Sequence, residues 1–171
     1  MTVLRIQSSS DMEALGEAVG SHLQAGDVVV LHGPLGAGKT TFTRGVGAAL
    51  QVEGQIQSPT FVVARDHKRV AEGQPPLIHV DAYRLSHAEE LVDLDLDYDH
   101  SIVAIEWGRP FVERVVDQWL DVDIHTPVED SDDTDVPSDS RDRVVTVTAH
   151  SRQGVDTRFA PLLEELNDFG H

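Results

Sequence analysis

"GPLGAGKT" runs from Gly33 to Thr40, behind the apolar stretch "DVVVLH" and ahead of "TFTRGVGAAL". Gly33, four residues, then Gly38-Lys39-Thr40 is the spacing of a phosphate-binding loop between a strand and a helix. The residue types follow from the task. Glycines let backbone N–H groups converge on a phosphate without a Cβ in the way. Lys39 supplies a point charge for the β- and γ-phosphates. The Thr40 hydroxyl can ligate Mg²⁺, and the helix that follows presents its positive end. The cofactor-binding set predicted here is Gly33, Pro34, Leu35, Gly36, Ala37, Gly38, Lys39, Thr40 and Thr41. The chain has only two lysines, Lys39 and Lys68, so the loop lysine does not come from a lysine-rich background.

The reading around this loop is an α/β domain. "TVLRIQ" predicts a first strand. "SSDMEALGEAVGSHL" predicts a helix with Met12, Leu15, Val19 and Leu23 on one face and a capping box between Ser10 and Glu13. Val28 to Leu31 is an apolar strand, and the helix after the loop buries Phe42, Val46, Ala49 and Leu50. "SPTFVVARDH" and "LIHVDAYRL" predict extended segments, "SHAEELVDL" a short helix capped by Ser86 and Glu89, and "SIVAIEW" another strand. "WLDVDIH" and "RVVTVTA" alternate with period two, as antiparallel strands with one wet face do. A closing helix would place Val155, Phe159, Leu162, Leu163 and Leu166 on one side, despite Pro161. The fold class is therefore α/β and P-loop NTPase-like: a central, mostly parallel sheet flanked by helices, with an antiparallel hairpin near the C-terminus.

Composition narrows the function. A chain of 171 residues predicts one domain over residues 1–171. The stretch from Val128 to Asp142 is dense in acids, Ser and Pro and predicts a disordered loop outside the chemistry. There is no cysteine, which removes disulfides and thiol catalysis and is compatible with a cytoplasmic location. No apolar run approaches the ~20 residues of a membrane span, and the N-terminus lacks a signal-peptide pattern. The formal net charge of −17 repels phosphodiester backbones, so any nucleic acid is expected to be held mostly by something other than this chain.

A nucleoside triphosphate site needs an acid for its magnesium, often at the end of a neighbouring apolar strand. Two strands offer one: "LIHVD" ends at Asp81 and "IVAIE" at Glu106. Spacing alone does not choose between them. Thr60, in "SPTF", stands where GTPase-like proteins place a threonine that senses the γ-phosphate. The only asparagine is Asn167, and no Asn-Lys-x-Asp guanine element is present, which favours adenine. His79 and Asp81 share a strand face by i, i+2 spacing, but two ligands do not make a zinc site.

"GPLGAGKTTFTRG", "SPTF", "HVDAYRL" and "IEW" occur in the order and spacing of the TsaE family, which the chain resembles over about two thirds of its length. The resemblance implies a compact ATPase with ATP and Mg²⁺ as cofactors, slow by itself. It would act with TsaD-like and TsaB-like proteins in making threonylcarbamoyladenosine on tRNA and reset that complex between turnovers. It further implies that Glu106 joins Thr40 on Mg²⁺, that Asp81 orients or activates the attacking water, and that Thr60 lies in a mobile switch. It places Trp107 near the site and the adenine near Ser9 and Ser10, with Lys39 in the catalytic set. The chain departs from the family in its long acidic insertion, in Gly-Arg-Pro after Glu-Trp, and in Ala82 after Asp81. Two other classes compete. One is a small-molecule kinase using the Asp81-x-x-Arg84 spacing. The other is a nucleotide-dependent scaffold without relevant hydrolysis.

Overall fold

The computed structural model describes residues 1–59, 62–126, 142–154 and 158–169. Thr60, Val155 and nearly all of the acidic stretch fall outside them. Seven strands form one sheet: β1 (Thr2–Ile6), β2 (Val28–His32), β3 (Ala64–His67), β4 (Leu77–Asp81), β5 (Ile102–Glu106), β6 (Gln118–His125) and β7 (Arg143–Ser151). Their order is β1-β7-β6-β2-β5-β4-β3. The four inner strands β6, β2, β5 and β4 are mutually parallel. Antiparallel pairs finish both edges, β3 on β4 at one and β7 with β1 at the other. This is the α/β architecture read from the sequence, with β6 and β7 as its antiparallel hairpin.

The apolar runs are continuous because both faces of the sheet are covered. β4 and β5 are buried at every position. One face carries Val29, Leu31, Leu77, Ile102 and Ala104 under α1 (Ser9–Gly20), α2 (Lys39–Leu50) and α4 (Ala160–Asn167). The other carries Val28, Val30, Ile78, Val80, Val103 and Ile105 with α3 (Ala88–Asp93). Helices α1 and α2 approach so closely that glycine is required between them. A Cβ at Gly45 would lie 2.0 Å from the Glu13 carbonyl oxygen, and one at Gly16 would lie 2.1 Å from that of Phe42.

Several local expectations are corrected. Helix α1 is capped by Ser8, whose Oγ accepts from the Asp11 N–H at 3.1 Å, rather than by Ser10 with Glu13. Any of three consecutive serines can cap, and the choice of Ser8 starts the helix two residues early. It also ends at Gly20, with Leu23 buried in the turn beyond. The cap of α3 shifts by one residue: Glu90, not Glu89, accepts from the N–H groups of Ser86 and His87, with Leu91 buried. Val62 and Val63, directly before β3, are not extended. Val62 and Val63 both donate to the Pro59 carbonyl, and Val63 takes φ 67°, a left-handed conformation rare for a β-branched residue. β4 stops at Asp81, because its carboxylate accepts from the Tyr83 N–H and winds Ala82–Arg84 into a 3₁₀ turn. β6 has no wet face between Trp119 and Val122. Its Asp121 is covered by Arg109, which donates to both carboxylate oxygens at 3.0 and 2.8 Å. Phe159, the N-cap of α4, and Leu162 and Leu166 within it are buried as expected, and Pro161 sits in the first turn, where its missing N–H costs nothing.

Candidate nucleotide and metal site

The loop Gly33–Gly38 joins the C-terminal end of β2 to α2, on the edge of the sheet where β4 and β5 also end. Gly33 (φ 148°) runs so close to β6 that a Cβ would meet the Ile124 carbonyl oxygen at 2.5 Å. Gly38, at φ 114°, begins α2 without a side-chain cap. The first N–H groups of a 12-residue helix are therefore available to an anion at the loop. Pro34, Leu35 and Gly36 face solvent, while Ala37 is buried.

Lys39 is only 5% exposed. Its Nζ donates to the carbonyls of Gly33 (2.8 Å) and Pro34 (2.9 Å) and lies 4.2 Å from the centre of the Trp107 ring. Burial pushes its pKa below the usual lysine range, and the nearby charges of Glu106 and Asp81 oppose that shift. Trp107 is set for this contact by an unusual backbone, φ 62°, with its N–H donating to the Leu31 carbonyl. Its ring also touches His32 and Tyr83.

Register aligns the two candidate acids: Asp81 of β4 stands opposite Glu106 of β5. Both are buried, but their partners differ. The Glu106 Oε1 accepts from the Thr40 hydroxyl at 2.9 Å and lies 2.8 Å from His79 Nε2. The Asp81 Oδ1 accepts from the backbone N–H of Tyr83. Thr40 and Glu106 thus form a close pair of hard oxygen donors. Among the described residues no group of three or more His, Asp or Glu side chains could hold a metal by itself. A pair of this kind suits Mg²⁺, which keeps several waters and takes one or two protein oxygens alongside substrate phosphates.

The structure brings together Gly33 to Thr41, Glu106, Asp81 and Trp107. Ser9 and Ser10 lie in the first turn of α1, whose Met12 reaches 3.4 Å from the position of a Gly38 Cβ. Thr60 lies outside the described residues. Two neighbours were not assigned to the site from the sequence. Arg143, at the start of β7, puts its Nε 3.8 Å from the same Gly38 position, and no motif announces it. His79 shares its strand face with Asp81, as the i, i+2 spacing predicts, and meets Glu106 of the neighbouring strand.

Two clefts lie away from this edge. One of about 400 Å³ is at the opposite end of β2, between Asp27, Tyr98, Arg114 and Arg152. The other, about 550 Å³, follows the C-terminal half of α2 from Arg44 to Gln57.

The family model for "Threonylcarbamoyl adenosine biosynthesis protein TsaE" matches residues 6–134. The Streptomyces coelicolor tRNA threonylcarbamoyladenosine biosynthesis protein TsaE is 49% identical over 125 residues, 71% of this chain and 84% of that protein. The Bacillus subtilis protein of the same name is 30% identical over 165 residues, 95% of this chain and 92% of its own. The solved structure described as Bacillus subtilus YdiB superposes with a TM-score of 0.66 at 25% identity, covering 99% of this chain and 96% of the other. The glycine loop, the His-x-Asp strand and the Glu-Trp pair all fall within the matched span, and this chain belongs to the TsaE family of threonylcarbamoyl adenosine biosynthesis proteins.

Proposed function

We propose that this chain is a Mg²⁺-dependent ATPase that serves threonylcarbamoyladenosine formation on tRNA as the accessory partner of a TsaD-like and TsaB-like pair. The observation that carries the reading is the 2.9 Å bond between Thr40, at the end of the glycine loop, and Glu106, at the end of the adjacent parallel strand. A hydroxyl and a carboxylate so placed are the two protein ligands that a phosphate-bound Mg²⁺ uses. When bound, the ion would neutralise charge on the phosphates. The remaining work belongs to the chain. The backbone of Gly33 to Thr41 cradles the phosphates, and Lys39 moves its charge from the loop carbonyls to them. Asp81, one strand away and not bonded to Thr40, is free to orient the attacking water and take its proton. Ser9 and Ser10, in the first turn of the helix whose Met12 lies against Gly38, are the proposed adenine contacts, and Thr60 is the proposed γ-phosphate sensor.

No helix among the described residues is long and apolar enough to cross a membrane, and the strongly acidic chain suits contact with tRNA through its partners. A cytoplasmic location follows from this reading. The test uses the chain as bait with and without ATP, followed by phosphate release with the recovered proteins. Co-recovery of a TsaD-like and TsaB-like pair with raised turnover supports the proposal. Phosphate appearing on an added metabolite, or turnover unaltered by the pair, would overturn it.

A further inference from the structure

Position 79 sits in the middle of β4, where every residue is buried and the flanking positions are Leu77, Ile78 and Val80. His79 is 0% exposed. Stability alone favours an apolar side chain there, since a buried polar group must recover its lost hydration through hydrogen bonds. His79 recovers only part of it. Its Nε2 lies 2.8 Å from Glu106 Oε1, and its Nδ1 is buried without a hydrogen-bond partner. A carboxylate oxygen accepts, so the hydrogen of this contact is on Nε2, and Nδ1 faces the core with no hydrogen-bond partner. Such an arrangement is poor packing chemistry but a rigid donor aimed at one oxygen.

We infer that His79 is the positioning residue of Glu106, holding the carboxylate in the orientation in which it meets a divalent cation. The inference rests on the proposed Mg²⁺ role of Thr40 and Glu106. Both hydrogen bonds to Glu106 fall on Oε1, one from Thr40 and one from His79. A hydroxyl that gives its lone pair to a cation is no longer aimed solely at Glu106. The anchor that remains is then His79, fixed by the strand and by burial on every side. Histidine and carboxylate supports behind metal ligands commonly contribute 10–100-fold to metal affinity.

The test is calorimetric titration of Mg²⁺ into the full chain with ADP, beside ADP binding in EDTA, on wild type, His79→Gln and His79→Asn. A glutamine amide nitrogen can occupy the place of Nε2; an asparagine amide falls short of Glu106. The expected result is a Mg²⁺ midpoint raised 10–100-fold for His79→Asn and within about 3-fold of wild type for His79→Gln. ADP affinity in EDTA should be the same for all three proteins. Equal Mg²⁺ midpoints for Asn and wild type overturn the inference and leave the metal reading standing. So does a loss of ADP affinity in EDTA that matches the loss with Mg²⁺, because that marks a purely structural role. Wild-type binding indifferent to Mg²⁺ overturns the metal reading and the inference together.

Discussion

Asp81 and Glu106 stand opposite each other on adjacent parallel strands, yet only Glu106 is bonded to the loop threonine. Equal height on the sheet and different partners imply different tasks. Glu106→Ala should weaken Mg²⁺-dependent nucleotide binding. Asp81→Asn should leave binding nearly intact and lower hydrolysis by roughly the 10²–10⁴ of lost general-base assistance. Mg²⁺ titrations on both variants, with phosphate release, check the division. The opposite pattern would return the metal to Asp81.

Lys39 bonds two loop carbonyls and lies over an indole face, so its removal touches the loop's own structure as well as the nucleotide. The bonds are local, and their loss should cost roughly 1 kcal/mol, or about 2–4 °C in Tm for a chain of this size. Lys39→Ala should nonetheless abolish detectable ATP binding by calorimetry. Unchanged affinity would remove the nucleotide assignment.

Gly45 separates α2 from the backbone of α1, whereas Gly54 (φ 74°) has open space around its Cβ position. Gly45→Ala forces a methyl onto a carbonyl 2.0 Å away, and neither backbone can yield cheaply. It should destabilise the fold by about 3 kcal/mol, the upper end of overpacking. Gly54→Ala carries only the ~1–2 kcal/mol of a left-handed residue. Urea melts of the two variants give the comparison.

Asp121 is buried under Arg109, whose own side chain is 40% exposed. Arg109→Ala leaves a buried acceptor without its donors and should cost about 1–3 kcal/mol. Arg109→Lys should recover little of this, because a point charge cannot reproduce the two-pronged contact. Chemical denaturation of both proteins tests it. A lysine variant as stable as wild type would show that charge alone suffices.

His67 is buried, and that burial, assisted by His79 and Arg65, pushes its pKa below the usual 6.5. The unfolded chain therefore gains a proton on His67 before the folded one does. Stability is fully present above 6.5 and falls as the pH drops from there toward the lowered folded value. His67→Gln should flatten that part of the stability–pH curve. An unchanged slope would place the acid sensitivity at other histidines.

Much of this protein could be read without coordinates. Periodicity located the strands and the main helices, because burial on one or both faces imposes its period directly on the chain. The spacing of Gly33 to Thr40 announced the phosphate loop, because backbone approach to an anion requires those residue types in that order. Helix caps were misplaced by one or two residues at Ser8 and Glu90, where neighbouring side chains can each satisfy the same N–H groups. The bend at Val63 was missed because a left-handed β-branched residue contradicts local preference and is held only by its surroundings. The division of labour between Asp81 and Glu106 was also undecided by spacing. Both acids end apolar strands, and only the sheet order that puts β5 between β2 and β4 decides which one reaches Thr40. The same holds for His79 and Arg143, whose places depend on pairings across tens of residues. A local pattern records which face of an element is buried; which elements become neighbours is decided by the packing of the whole chain.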